Sequence, residues 1–304
     1  MNEEPADLGF APDEDTPIAY MARTRAYYAA LGYDTPYRWA HHTDAPFQPL
    51  TKPLGACSVA LVTTAAPFQP DKGDQGPGAP YNGAAKFFAV YSGPADGQPD
   101  LRISHIAYDR DHTTAADPGT FLPLAQLRDA ASRGRIGRVA PRFHGLPTNR
   151  SHRATLQVDA PELLARCRED GADAAILVPN CPVCHQSVAL AARHLDAAGI
   201  PTVIMGCAKD IVEHCGVPRF LFSDFPLGNS AGRPGDPVSQ RVTLELALRV
   251  LESAPVPRTT VQSPLRWSDD PAWKRDYSSI AKLTPEELAR RRAEFDRQKR
   301  AAKG

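Results

Sequence analysis

From Asp159 to Ser253 the chain alternates short apolar runs with helix-patterned stretches, and this alternation limits the fold more than any other feature. Asp159-Ala160-Pro161 opens a helix to Gly171, with Asp159 as the expected N-cap. Ala172 to Val178 reads as a strand and Pro182 to Ala198 as a helix. In that helix Val188, Ala191, Ala192, Leu195 and Ala198 form one stripe, and Gly199 is the stop. Ile200 to Met205 is the next strand, 209–215 a short helix, and Arg219 to Ser223 another strand. Asp236-Pro237 then caps a helix to about Ser253. Strand–helix–strand order of this kind implies a parallel sheet with right-handed crossovers.

The first half is less regular. Helix signals run from Thr16-Pro17 to Gly32, and residues 1–16 are expected to be mobile. Residues 34–56 read as an extended Pro- and aromatic-rich wrap, Cys57 to Thr64 as a buried strand, and 65–83 as a Gly/Pro-rich loop. Leu101 to Tyr108 alternates and is expected to be a strand; Leu122 to Ser132 reads as a helix closing at Gly134. At the far end, Thr284-Pro285-Glu286-Glu287 starts a highly charged helix, read as a solvated tail or as a surface for a partner subunit.

With 304 residues there is room for two lobes. The fold class read here is α/β: two Rossmann-like lobes with parallel sheets, the active site in the inter-lobe cleft, and a charged C-terminal helix. The segments are 1–150 with the wrap, 151–256 with the thiol motif, and a tail at 257–304. Basic and acidic side chains balance at 35 each, so net charge points neither to nucleic acid nor to a membrane. No apolar run has the length of a membrane span, and MNEEPADLGFAPDEDTP lacks a signal-like apolar region. A cytoplasmic location is therefore expected. The six cysteines would then be reduced, which favours metal or catalytic roles over a disulfide framework.

Two of them lie in Asn180-Cys181-Pro182-Val183-Cys184-His185-Gln186, between a strand and a helix. With Pro182 at the first helical position, Cys181 falls at the N-cap, where free backbone N–H groups and the helix dipole favour an anion. A thiolate there is expected to have a lowered pKa. Open α/β sheets place ligands at the carboxyl ends of their strands, which is where this motif, Cys207 and Asp224 converge. The residues leave several chemistries open. Structural zinc could draw on Cys181, Cys184, Cys207 and Cys215, with His185 and His214 nearby, although their spacing does not match compact paired zinc motifs. Cys-x-x-Cys-His is also a haem c signature, which requires export. A thioredoxin-type disulfide carrier fits the strand–thiol–helix order, and so does a nucleophile with a resolving thiol.

Cys57 and Cys167 read as buried filler and Cys215 as structural. His185 reads equally as a base or thiolate-stabilising cation for the thiols and as a helix-surface histidine pointing away. Asp224 and Asn229 are candidate positioning groups. Thr63 and Thr64, with Asn180 and Cys207, are candidate substrate contacts.

The stretch from Ala172 to Asp236, with its thiol motif and SDFPLGN loop, resembles the selenoprotein B family of glycine/sarcosine/betaine reductase and D-proline reductase. LVTTAAPF at 61–68, LRISHIAYD at 101–109 and FLPLAQLRDAASRGRIGRVAPRFHG at 121–145 agree with it, so the likeness spans roughly residues 18–255. It implies a reductase in which Cys181 occupies the selenocysteine position and Cys184 the resolving position. The substrate is then a small carboxylate-bearing molecule whose carbon–heteroatom bond (C–N or C–S) is cleaved. The pair is restored by an external thiol or a thioredoxin-like donor. The resemblance also implies a pyruvoyl group on a partner subunit, and either a homo-oligomer or a complex with a second subunit; no cofactor or metal is expected in the chain itself. Sulfur in place of selenium makes an unactivated C–N bond a harder target. The alternative is a Cys-x-x-Cys redox protein or a zinc- or iron-binding module without turnover.

Overall fold

A computed structural model describes residues 16–33, 35–149, 151–280 and 283–301, so the expectation for residues 1–15 lies outside the described residues. Helix α1 (Tyr20–Ala30) is the first helix of the described chain, and residues 35–53 run without regular secondary structure. Strand β1 (Ser58–Thr63) is fully buried, and β2 (Ala66–Pro67) follows it. Next come β3 (Tyr91–Pro94), β4 (Leu101–Arg102), helix α2 (Leu124–Ser132), β5 (Arg138–Val139) and β6 (Arg142–Gly145). A composite helix then joins α3 (His152–Ala154), a π-helical turn at Thr155–Asp159, and α4 (Ala160–Glu169). The rest is β7 (Ala174–Val178), α5 (Pro182–Ala197), β8 (Thr202–Gly206), α6 (Lys209–Cys215), β9 (Arg219–Phe222), α7 (Pro237–Ser253), β10 (Thr259–Gln262), α8 (Trp273–Asp276) and α9 (Pro285–Ala301).

One eight-stranded sheet, in the order β10-β9-β8-β7-β1-β6-β3 with β5 also on β1, takes strands from every part of the chain. All pairings in it are parallel except β3 with β6. Separate sheets for the 1–150 and 151–256 segments are therefore not what forms: β1 hydrogen-bonds directly to β7 along Val59–Thr63. The sheet is buried on both faces, as near-continuous apolar strands require. Alternate residues serve opposite sides. Val59, Leu61, Ile176, Val178 and Met205 pack towards Leu127, Leu244 and Leu248 on α2 and α7. Ala60, Val62, Leu177 and Ile204 pack towards Leu163, Val188 and Leu195 on α4 and α5.

Several expectations change. The helix before β7 does not start at Asp159; Ser151 caps it, its side chain accepting from the Ala154 N–H at 3.2 Å. Asp159 is helical, and its carboxylate accepts from Asn149 Nδ2 at 2.8 Å. The π turn lies just before Pro161, which cannot donate to the helix and crowds the carbonyl four residues back. The strand expected over Leu101–Tyr108 is only two residues long, pairing with β2, and the rest is loop. Segment 257–304 is more than a tail: β10 extends the sheet beside β9. Helix α9 docks on α1 and the residues after it, with the Phe295 ring 5.6 Å from Tyr28 and 5.1 Å from Tyr33. No described helix is long and apolar enough to cross a membrane.

Candidate active site

The carboxyl ends of β1, β7, β8 and β9 form one edge, and the thiol motif lies on it. Cys181 is the N-cap of α5 in extended conformation, Pro182 follows at the first helical position, and Cys181 Sγ accepts the Cys184 N–H at 3.2 Å. The local geometry expected from Pro182 is therefore present. Cys181 lines a pocket of about 420 Å³. Cys184 is fully buried behind it.

His105, on the loop after β4, is the third member of the cluster. One of its ring nitrogens and the two sulfurs all lie within 4.8 Å of one another. His105 also lines the pocket, and its Nδ1 is buried without a hydrogen-bond partner among the described residues. Thr148 Oγ1 donates to Cys184 Sγ at 3.3 Å. The loop itself is held by Arg110. Its guanidinium donates to the carbonyls of Ala79 (3.2 Å), Ile106 (2.8 Å) and His105 (2.8 Å) and stacks 4.0 Å from the Tyr108 ring. Tyr277 OH, buried, donates to Ala107 O at 2.9 Å.

The lowered thiol pKa expected at Cys181 is found at Cys184 instead. Burial pushes the Cys184 thiol up, but hydrogen bonding from Cys181, the His105 ring and the Thr148 hydroxyl outweigh it and hold it well below the ordinary thiol range. Burial raises Cys181 well above that range, and the charge on Cys184 raises it further. The Cys184 N–H and the helix N-terminus do not overcome these two effects. The pair therefore ionises first at Cys184, with the proton on Cys181.

His185 does not face the thiols. The Cys207 N–H donates to its Nε2 at 2.9 Å, so the proton sits on Nδ1, which donates to Cys181 O at 2.8 Å. Both nitrogens are occupied, and burial lowers its pKa to about 4. Gly206 makes room for this ring: a Cβ there would lie 2.9 Å from His185 Cδ2 and Nε2.

The other sequence candidates support the edge rather than line the pocket. Thr63 Oγ1 donates to Phe121 O at 2.8 Å, and Thr64 Oγ1 accepts the Asn180 N–H at 3.0 Å. Cys207 is buried with Sγ 3.6 Å from Ser230 Oγ, and burial pushes its pKa up to about 12. Asp224 pairs with Lys274. Asn229 Nδ2 donates to Pro226 O at 3.0 Å, and its Oδ1 accepts from Thr113 at 3.3 Å. Asn180 is fully buried, and neither Oδ1 nor Nδ2 of its amide has a partner among the described residues. His105, Thr148 and Arg110 escaped the sequence reading because an assumed alternating strand covered His105, and nothing local marked the other two.

No family model matches the chain, and no solved structure matches it. Among curated proteins it is 29% identical over 221 residues to D-proline reductase subunit gamma of Acetoanaerobium sticklandii, covering 72% of this chain and 88% of that protein. It is 25% identical to glycine reductase complex component B subunit gamma of Symbiobacterium thermophilum over 75% of this chain and 54% of that protein. Sarcosine reductase complex component B subunit beta of Peptoclostridium acidaminophilum is 25% identical over 73% of this chain and 51% of its own length. The chain thus spans about half the length of the glycine and sarcosine reductase relatives. Its curated homologues are reductase components of amino-acid reductase complexes, at 25–29% identity over most of the chain.

Proposed function

We propose that the chain is a thiol-dependent reductase that cleaves a carbon–heteroatom bond, C–N or C–S, in a small carboxylate-bearing substrate. The observation that carries this reading is the order of the two sulfurs. Cys181 lines the pocket and Cys184 lies buried behind it, with His105 within 4.8 Å of both. The Cys184 thiolate takes the Cys181 proton as Cys181 sulfur attacks the carbon bearing the leaving group, and the heteroatom departs with the bond electrons. His105 then takes the proton from Cys184, which attacks Cys181 sulfur. The carbon leaves with the electron pair and is protonated by the imidazolium of His105. The sum is reduction of carbon–X to carbon–H with formation of a Cys181–Cys184 disulfide and release of X⁻, which takes its proton from water. An external thiol or thioredoxin-like donor restores the dithiol.

Arg110 uses three of its five N–H groups on carbonyls, and the other two are suited to the substrate carboxylate. Among the described residues the pocket is lined by sulfur, imidazole, phenol, guanidinium, ammonium and carboxylate groups. In this proposal a carbonyl that forms an imine with an amine substrate comes from a partner subunit, as a pyruvoyl group would, and no step above uses it. Assembly with a second subunit, or with copies of itself, in the cytoplasm completes the reading.

Limiting iodoacetamide between pH 5 and 9, with the adduct located by mass spectrometry, tests it. Cys181 is expected to react far faster than the buried Cys167. Equal rates at the two would sink the assignment of Cys181 as nucleophile.

A further inference from the structure

We infer that the reduced pair and His105 form a binding site for a divalent zinc-like ion, with its fourth position open to the pocket. The sequence-level zinc alternative drew on Cys207 and Cys215, and the structure draws on neither. Cys207 Sγ faces Ser230 Oγ and Cys215 is buried in the core between α5 and the sheet. One imidazole nitrogen and two sulfurs within 4.8 Å instead make a Cys₂His set. Zinc bonds of about 2.3 Å to sulfur and about 2.0 Å to nitrogen place tetrahedral ligand atoms about 3.5–3.8 Å apart. The three side chains need close by only about 1 Å, within the reach of small side-chain rotations.

The surroundings fit an ion as well as the spacing does. His105 is 8% exposed and its Nδ1 has no partner among the described residues, so the ring has unused capacity. Cys184 N–H and Thr148 Oγ1 already donate to the two sulfurs, and such bonds stabilise bound thiolates. Cys181 and His105 both line the pocket, so the vacant position of a tetrahedral ion opens onto it. Arg110 and Lys86 interact with Cys181 and oppose a dication. Two thiolate charges offset that repulsion. Binding releases the remaining thiol protons and requires the dithiol, because a Cys181–Cys184 disulfide removes two of three ligands. The ion therefore competes with both substrate and oxidation, and it binds whether or not the chain turns over.

The test uses reduced, metal-free full-length protein titrated anaerobically with Co²⁺ and then Zn²⁺. Expected are one equivalent bound, thiolate-to-cobalt charge transfer in the near ultraviolet with tetrahedral visible bands, and displacement by Zn²⁺. His105→Asn should weaken binding at least tenfold, and Cys215→Ala should keep it. Wild-type protein alkylated at Cys181, which needs no refolding, should lose the charge-transfer band. The inference is overturned by absence of that band at one equivalent, by its survival after Cys181 alkylation, or by its loss in a folded Cys215→Ala variant.

Discussion

The turn from β7 into α5 and the segment from Leu101 to Asp111 meet at the two sulfurs, and they are held in different ways. The turn is fixed by regular structure. A five-residue buried strand leads into a helix whose N-cap is itself one of the thiols. The 101–111 segment has two residues in a strand and then depends on side chains. Arg110 ties three carbonyls, the Asp109 carboxylate accepts the N–H groups of Asp111 (3.1 Å) and His112 (3.2 Å), and Tyr277 anchors Ala107. The sulfurs thus sit on a scaffold stabilised by the whole sheet. Their proton partner sits on a loop stabilised by a few buried polar bonds. Substitutions in the turn should abolish chemistry, whereas those in the loop should tune it.

The largest expected effect is in the turn. Cys181→Ser should remove all detectable reduction, because an alkoxide is not available at neutral pH and cannot form the disulfide. Product formation by Cys181→Ser at wild-type rate would break the contrast at once. Cys184→Ser should lose both the base for the first attack and the resolving sulfur, so the attack should slow and its product should persist as a covalent substrate adduct on Cys181 visible by mass spectrometry. In the loop, His105→Gln should slow turnover by about 10²–10⁴-fold, the usual contribution of a positioned acid–base group, and should change the pH–rate profile. An unchanged profile would demote His105 to a structural role.

The same contrast explains what could be read from sequence. The β7–α5 turn was legible because apolar strand, Pro182 and the Ala/Leu stripe are local patterns backed by a buried sheet. Cys181 at the N-cap followed from them. The proton placement did not, since it depends on His105 and Thr148, 76 and 33 positions upstream of Cys181. His185 was the natural candidate from adjacency, yet helix geometry turns it towards the Cys181 carbonyl and the Cys207 N–H. Strand β10 and the short strands β3, β5 and β6 lacked periodicity of their own and exist because β9 offers an edge to β10, β1 to β5 and β6, and β6 to β3.

The two histidines separate further with pH. His185 drops from an ordinary 6.5 to about 4 on folding, as does buried His144, both chiefly by desolvation. Between those values the unfolded chain binds the extra proton, so stability is complete above pH 6.5 and is lost as pH falls towards 4. Each group should cost about 2.5 kcal/mol of stability between pH 7 and 4.5. Urea unfolding should show that loss, and His185→Leu should be less stable than wild type at pH 7 but close most of the gap at pH 4.5. A constant gap would mean that the His185 imidazole is not held neutral.

Arg110 offers a graded test of the loop. It acts through His105, so Arg110→Ala should lower turnover by about 10–100-fold by losing both positioning and carboxylate contact. Arg110→Lys, which cannot reproduce a three-carbonyl fork, should rescue little. In a double-mutant cycle with His105→Gln the two losses should be markedly less than additive. Full additivity would separate the clamp from the base and weaken the picture of a side-chain-built loop.

The smallest effect is expected where the two regions are bridged by a single hydroxyl. Thr148 Oγ1 donates to Cys184 Sγ, while among the described residues Cys181 Sγ accepts the backbone N–H of Cys184. Val in place of Thr148 keeps nearly the same shape and removes the donor. The Cys184 thiolate then loses a charge-assisted hydrogen bond worth roughly 1.5 kcal/mol, equivalent to about one pH unit. The first ionisation of the pair, followed by the pH dependence of Cys181 alkylation, should move up by about that amount with the fold unchanged. The direction follows from which sulfur holds the charge. If the negative charge rested on Cys181, loss of the Thr148 hydroxyl would leave the first ionisation in place, and the assignment of thiolate to Cys184 and thiol to Cys181 would have to be reversed.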